Sequence, residues 1–366
     1  MLERFHVPES EAVRLGPDAV RSVTAAIFEK MGLSRADADR SADVLLFADL
    51  KGIDTHGISN MLRMYVDGYQ TGQVNPRPQP RIVRESPAVA TMDGDGGLGL
   101  HVGADAMGLA IQKAKSHGMG AVAVRNAGHV GAAGYHAAMA LEHDMIGVCM
   151  AGGGGVALLP TFGAEPRFGT NPIAWAVPAK NETPFIFDIA TTQVAGNKIR
   201  LLQRMGVNAA AGWLADWDGT PIMAESSPPR EDLHAENRHW YMLPIGGTRD
   251  NSSHKGYGFA CVVAIMGATL SGSETNGDLA GGGAYFGAYR IDAFTDVDSF
   301  KEDIDTFLRG LRETPPAPGH ERVYYAGLPE YEEELDRREK GIPYHPEVVD
   351  WLNSICAELE LDFQFP

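Results

Sequence analysis

At 366 residues, 44% hydrophobic and 22% charged, the chain has the composition of a folded soluble protein and exceeds one ordinary core, so two domains are expected. A net charge of −17 argues against nucleic acid or an anionic membrane as partner, and any anionic substrate then needs a local cation. The separated cysteines Cys149, Cys261 and Cys356 give neither a disulfide framework nor a zinc knuckle, and Met1 to His6 carries no apolar signal core, so a reducing cytoplasm is the expected location.

Residues 10–33 and 34–51 read as two helices, the second capped by Ser34 with Ala42, Val44, Leu45, Leu46, Ala48 and Leu50 on its apolar face. Asp54-Thr55 can cap a third helix from about His56 to Gln70. On it His56, Ser59, Asn60 and Arg63 share one face, which combines a proton carrier, an amide and a cation. The plainer reading is a solvated face with a capping histidine. Asn75 to Pro80 is an extended connector, and Pro87 to Asp93 a strand. Gly94 to Gly99 matches the dinucleotide fingerprint GxGxxG. Yet Asp93 and Asp95 would face a pyrophosphate, and the expected ribose-binding acid is missing downstream. The stretch is therefore read as a structural turn before a helix from Ala104 to His117.

The pattern then repeats as strand, turn and helix. Gly120 to Arg125 is β-branched, Gly128 to Gly134 is glycine-rich and carries His129, and a helix covers 131–143. A histidine on such a turn is held rigidly beside a crevice, as proton exchange requires, though an ordinary tight turn would look the same. Strands follow at Ile146 to Ala151, Asn171 to Pro178 and Pro184 to Ile189, the first running into Gly152 to Gly155. Asp188-Ile189-Ala190-Thr191-Thr192 places an acid and two hydroxyls at a strand end. There they can orient an imidazole, accept from a ribose, or cap a helix from Gln193 to Arg204. Gly212 to Asn237 reads as a long loop. Lys255 opens a helix whose apolar run, Phe259 to Leu270, is expected to be buried. A cation at that first turn opposes the helix dipole unless an anion is near. Gly272 to Gly287 is expected to be a mobile glycine-rich stretch, followed by helices at 297–312, 329–340 and 346–360.

Taken together, Gly52-Ile53-Asp54-Thr55-His56-Gly57, Asp93 to Gly99, Asn126 to Gly134, Gly169-Thr170-Asn171-Pro172, Asp188 to Thr191, Lys255 to Gly258, Ala326 to Glu330 and Gly341-Ile342-Pro343 resemble the malate/L-lactate dehydrogenase family of the second, non-Rossmann type. Its relatives include sulfolactate, ureidoglycolate and diketogulonate oxidoreductases and a cyclic-imine reductase. The resemblance spans nearly the whole chain. It implies an α/β fold with a non-Rossmann NAD(P)-binding sheet domain at 119–289 and a mainly helical domain from 1–118 and 290–366, usually as a homodimer. It places active-site histidines at His56 and His129. Cofactor contacts are implied at Gly153, Thr170, Asn171, Pro172, Asp188, Ile189, Ala190, Thr191, Leu243, Pro244, Lys255, Gly327 and Glu330. Two departures bear on the substrate: Ser59 and Asn60 stand where many relatives carry an arginine, and Asn197-Lys198 replaces the usual Gly-Lys.

The expected chemistry is hydride transfer between NAD, with NADP the alternative, and a small 2-hydroxy acid. His56 is the expected acid/base, with Asp188 fixing its tautomer and His129 second, although either order of the histidines fits. Arg63, Asn60 and Tyr65 are the expected substrate contacts, a guanidinium matching a carboxylate. No metal-ligand spacing occurs in the sequence. The alternatives are reduction of a cyclic imine or keto-sugar acid, and a catalytically inactive binding protein.

Overall fold

The computed structural model describes residues 6–153, 155–231, 235, 238–273 and 282–366. In chain order it begins with β1 (Val13–Leu15), α1 (Pro17–Lys30), α2 (Arg35–Leu50) and α3 (Ile58–Gln70). Then come β2 (Arg81–Glu85), β3 (Val89–Gly97), α4 (Gly99–His117), β4 (Met119–Ala127), α5 (Ala133–Ala138) and β5 (Met145–Gly152). The middle of the chain gives β6 (Ile173–Val177), β7 (Phe185–Ile189), α6 (Gly196–Met205), β8 (Leu214–Asp216), β9 (Trp240–Met242) and α7 (Ser253–Val263). The last part holds β10 (Gly283–Arg290), α8 (Val297–Arg312), α9 (Leu328–Lys340), β11 (Ile342–Tyr344) and α10 (Pro346–Glu358).

Seven of these strands make one sheet in the order β2-β3-β4-β10-β5-β6-β7. Only β3 and β4 run parallel, joined by the crossover α4; the other neighbours are antiparallel. One sheet face packs on α4 and α5 through Val122, Val124, Phe286, Ala288, Met107 and Ile111. A second core joins α1, α2, α3 and α10 through Phe28, Leu45, Leu62 and Leu352, closed by the ribbon β1–β11. Ser34 caps α2 by accepting from the Asp37 amide.

The structure redraws several sequence expectations. Residues 81–117, assigned to the helical part, belong to the sheet body, because β3-α4-β4 is one crossover unit. Helix α8 packs on Phe185 beside the sheet rather than in the helical core. Val13–Leu15 is a strand, not helix. Gly283 to Gly287, expected to be mobile, belong to the central strand β10, bonded to both β4 and β5. Glycine hides its alternation but is required there: a Cβ on Gly283 would lie 2.4 Å from the Gly267 carbonyl oxygen. Within that expectation, positions 274–281 lie outside the described residues. The expected buried helix is α7 continued by a π-helical stretch, Ala264–Thr269, and it is buried on one side only. Its other side leaves Phe259, Val262, Ile265 and Leu270 about half exposed, because it is an outer layer on the sheet. Among the described residues no helix is long and apolar enough to cross a membrane.

The ends of β3, β4, β5 and β7 and the starts of β6 and β10 meet at one edge of the sheet. Behind that edge, α5 lies so close to β5 that a Cβ on Gly147 would sit on the Ala137 carbonyl oxygen. Gly147→Ala should therefore cost about 1–3 kcal/mol through overpacking, read as a lowered Tm. An unchanged Tm would contradict this packing.

Candidate active site

At that sheet edge β4 gives way to the turn carrying His129. Asn126 enters it with a left-handed backbone, φ 51°, and donates to Asp93 at 3.0 Å. The Gly128 amide donates to the Gly97 carbonyl at 2.8 Å. Gly99, at the start of α4, leaves room for the turn: a Cβ there would be 2.3 Å from the Gly128 carbonyl oxygen. Gly94 and Gly99 of the GxGxxG-like stretch thus meet the backbone of the His129 turn and its approach, at Asn126 and Gly128.

Two donors settle the His129 ring. The Gly131 amide donates to Nδ1 at 3.1 Å, and the Tyr65 hydroxyl lies 2.7 Å from the same nitrogen. A main-chain N–H can only donate, so Nδ1 is an acceptor and the neutral ring carries its proton on Nε2. His56 stacks on this ring with centroids 5.7 Å apart and planes inclined by 16°. Its Nδ1 lies 2.8 Å from the Thr55 hydroxyl.

His56 lies outside α3, because Gly57 is the N-cap and no side chain within the turn caps the helix. The cap comes from α2 instead, where Asp49 accepts from the Ile58 amide at 3.0 Å and from the Tyr344 hydroxyl at 2.6 Å. Gly57 is compelled, since any Cβ would collide with the Asp49 carboxylate. Arg337 of α9, almost wholly buried, locks the preceding turn. It donates to Asp54 at 2.7 Å, to the Asp49 carbonyl at 2.6 Å and to Glu333 at 2.7 Å. Asn197 of α6 holds the other side by donating to the Thr55 carbonyl at 2.9 Å. Asp49, Arg337 and Tyr344 escaped the sequence reading because they join segments remote in the chain, and Asn197 stood out there only as a departure from the family pattern.

His56 stands where two lobes of a cleft meet. The larger, about 550 Å³, is lined by Thr170, Pro172, Asp188, Ile189, Ala190, Gly327 and Glu330, all expected cofactor contacts. Lys51, Asp54, Gln193 and Trp213 line it too and were not anticipated; so do Thr192 and Lys198, which the strand-end hydroxyls and the Asn197-Lys198 departure had singled out. The smaller, about 330 Å³, holds His129 and Gly153. Asn171 and Thr191 are buried behind the wall, bonded to the carbonyls of Ala260 and Thr170. Leu243 and Pro244 support it by pairing with Gln193 and Thr192.

Four expectations need correction. Asp188 accepts from the Gly134 amide at 2.6 Å, whereas the partner of His56 is Thr55, so Asp188 does not fix that tautomer. Asn60 and Arg63 line a separate outer groove with Arg200, Arg204 and Trp351. Helical spacing from His56 does not apply, because the helix begins after it. Arg63 there pairs with Glu358 at 2.9 Å and with Asp67, and Asn60 donates to the Asp54 carbonyl. Tyr65 buttresses His129 rather than lining the cleft. Lys255 is exposed on the first turn of α7 and lines neither lobe.

Burial governs the charges. It pulls His56 down to about 4 and His129 to about 3, the latter aided by the neighbouring histidines. Both rings are neutral at physiological pH, rather than poised near 7. Burial lifts Asp188 to about 6, with Glu330 adding to the rise and the Gly134 amide opposing it. It lifts Asp49 to about 7 against the bonds from Tyr344 and Ile58. Burial also lowers the Lys198 ammonium, with Asp54 opposing. Among the described residues no cluster could hold a metal ion.

Two expected outcomes follow from this geometry. In an NMR titration His56 and His129 should remain neutral down to about pH 5, since they titrate at about 4 and about 3. A midpoint near the ordinary ~6.5 for either would contradict their burial. Because the folded values lie below the unfolded ones, the rings stabilise the fold above about pH 6.5, and this is lost as pH falls towards about 4. Arg337→Met should cost about 3–5 kcal/mol in denaturant unfolding, since it strands Asp54 and the Asp49 carbonyl. A loss below about 1 kcal/mol would show the network to be dispensable.

Comparison with known proteins agrees across the whole chain. Residues 15–353 match the family model described as malate/L-lactate dehydrogenase. The chain is 36% identical over 367 residues to a malate dehydrogenase of Pyrococcus abyssi, covering 98% of each. It is 34% identical to an L-sulfolactate dehydrogenase of Methanocaldococcus jannaschii, covering 96% of this chain and 98% of that one. The solved malate dehydrogenase of Entamoeba histolytica superposes with a TM-score of 0.89 at 32% identity, covering 97% of this chain and all of the other. The chain belongs to the malate/L-lactate dehydrogenase family and is an oxidoreductase acting on a CH–OH group.

Proposed function

We propose that the protein is an NAD-dependent 2-hydroxy acid dehydrogenase, with NADP the alternative cofactor, and that it uses a non-Rossmann sheet to hold the nicotinamide. The observation that carries this reading is the stacked, buried pair His56 and His129 at the junction of the two lobes. The residues of the larger lobe fit a dinucleotide. The Asp188 and Glu330 carboxylates suit ribose hydroxyls, Lys51 and Lys198 suit phosphates or a carboxylate, and Ile186, Ile189 and Trp213 suit flat rings. When bound, the nicotinamide supplies the hydride chemistry.

The protein's part is to move one proton. His129 carries its proton on Nε2 and acts as a hydrogen-bond donor to the substrate oxygen. His56 is then the base: with Nδ1–H donated to the Thr55 hydroxyl, its Nε2 is the acceptor that takes the hydroxyl proton in oxidation. A neutral ring is ready for that step. Lys198, on the wall beside His56, replaces Arg63 as the cation for the substrate carboxylate. The exposed apolar side of α7 supports a homodimer.

The test is reduction of NAD by a panel of 2-hydroxy acids. His56→Ala should lower kcat by about 10²–10⁴-fold with nicotinamide affinity retained. Tyr65→Phe should lower kcat by about 2- to 10-fold, the scale of one lost hydrogen bond. Near-normal turnover by His56→Ala would move the base to another group, and no reaction with any 2-hydroxy acid would reject the reading.

A further inference from the structure

We propose that the smaller lobe receives the substrate's side chain and selects an uncharged, apolar one, so that this enzyme prefers aliphatic or aromatic 2-hydroxy monocarboxylates over malate or sulfolactate. The inference rests on the 2-hydroxy acid reading and names the substrate class within it.

The two lobes differ in charge. The larger is lined by Lys51, Asp54, Asp188, Lys198 and Glu330. Among the described residues lining the smaller there is no lysine, arginine, aspartate or glutamate. Its walls are Met61, Met64, Val124, Val130, Ala284 and Phe286. Of its polar side chains, the two histidines are neutral at physiological pH, the Asn197 amide donates to the Thr55 carbonyl, and Thr170 adds an uncharged hydroxyl at the border with the larger lobe.

His56 lines both lobes, so a carbon reacting beside it must send one substituent into each. The carboxylate common to all 2-hydroxy acids goes to the side that has Lys198. The remaining substituent enters the apolar lobe. A second carboxylate or a sulfonate there would lose its hydration with no cation to replace it, whereas methylenes gain on burial. At about 330 Å³ the lobe is far larger than the methyl group of lactate needs, the share of one water in the liquid being about 30 Å³. Added length is therefore accommodated, and water is displaced rather than stranded.

The experiment compares kcat/KM for lactate, 2-hydroxybutyrate, 2-hydroxy-4-methylpentanoate, 3-phenyllactate, malate and sulfolactate with the full chain and NAD. It also compares the calorimetric dissociation constants of 2-oxo-4-methylpentanoate and oxaloacetate. A rise of about fourfold per added methylene until the lobe is filled is expected. Malate and sulfolactate should fall at least about 100-fold below the branched acid, and oxaloacetate should bind more weakly than its apolar counterpart. Met64→Lys should raise the ratio of malate to branched-acid turnover by about 10- to 100-fold, the scale of one charge-assisted hydrogen bond. Malate or sulfolactate turning over as well as the branched acid in the wild-type protein overturns the inference and leaves the dehydrogenase reading standing. Silence on the whole panel, with NAD still bound, rejects that reading as well.

Discussion

The site depends on one buried cation. Arg337 is an arginine almost without solvent contact, and three acceptors surround it. A guanidinium in such a place is tolerable only while every partner stays, so it ties α9 to the end of α2 and to the turn that carries His56. Asp49 carries the constraint further, because its carboxylate caps α3 across a gap that only glycine at position 57 leaves open. His56 is thus positioned by Asp49 and Arg337, neither of which lines the cleft. The rigidity that a proton-transfer group needs is supplied by this network rather than by the short turn itself.

The opposing histidine is held by another device. The His129 turn hangs on a strand and is pressed against the start of α4, where Gly99 gives way to its backbone. Local geometry therefore fixes the fold of that turn, the Gly131 amide fixes its tautomer, and Tyr65, from α3, adds a second bond to the same nitrogen. The same helix that begins after His56 thereby supplies the hydroxyl that steadies His129, so the two imidazoles are coupled mechanically through α3.

What the sequence made legible follows this contrast. The His129 turn was readable because its signal is local: a β-branched strand, then glycines, then a helix. The wall Asp188 to Ala190 was readable as a strand end. His56 was readable as a motif and its helix as far as Gln70, but the start of that helix was not, since the cap lies in α2 and is supported by Tyr344 and Arg337. That displaced start carried Asn60 and Arg63 to a different groove. Strand β10 was hidden because the glycines that let a helix approach it also erased its alternation. Lys198 sat in plain view beside an atypical Asn197, and its value appears only when α6 turns it into the cleft.

The ribbon of β1 with β11 has a consequence for how the protein comes into being. It joins Val13–Leu15 to Ile342–Tyr344, and the bond from Tyr344 to Asp49 spans 295 residues of sequence. Contacts of that separation close late, because the entropy of so long a loop must be met before they reward it. During synthesis the sheet can assemble while the ribosome is still at work, yet the capping Asp49 lacks its bond from Tyr344, and the His56 turn its bond from Arg337, until α9 and β11 have emerged. The nascent chain therefore passes through a stage in which the larger lobe has its sheet-side wall while the turn carrying His56 is not yet held in place.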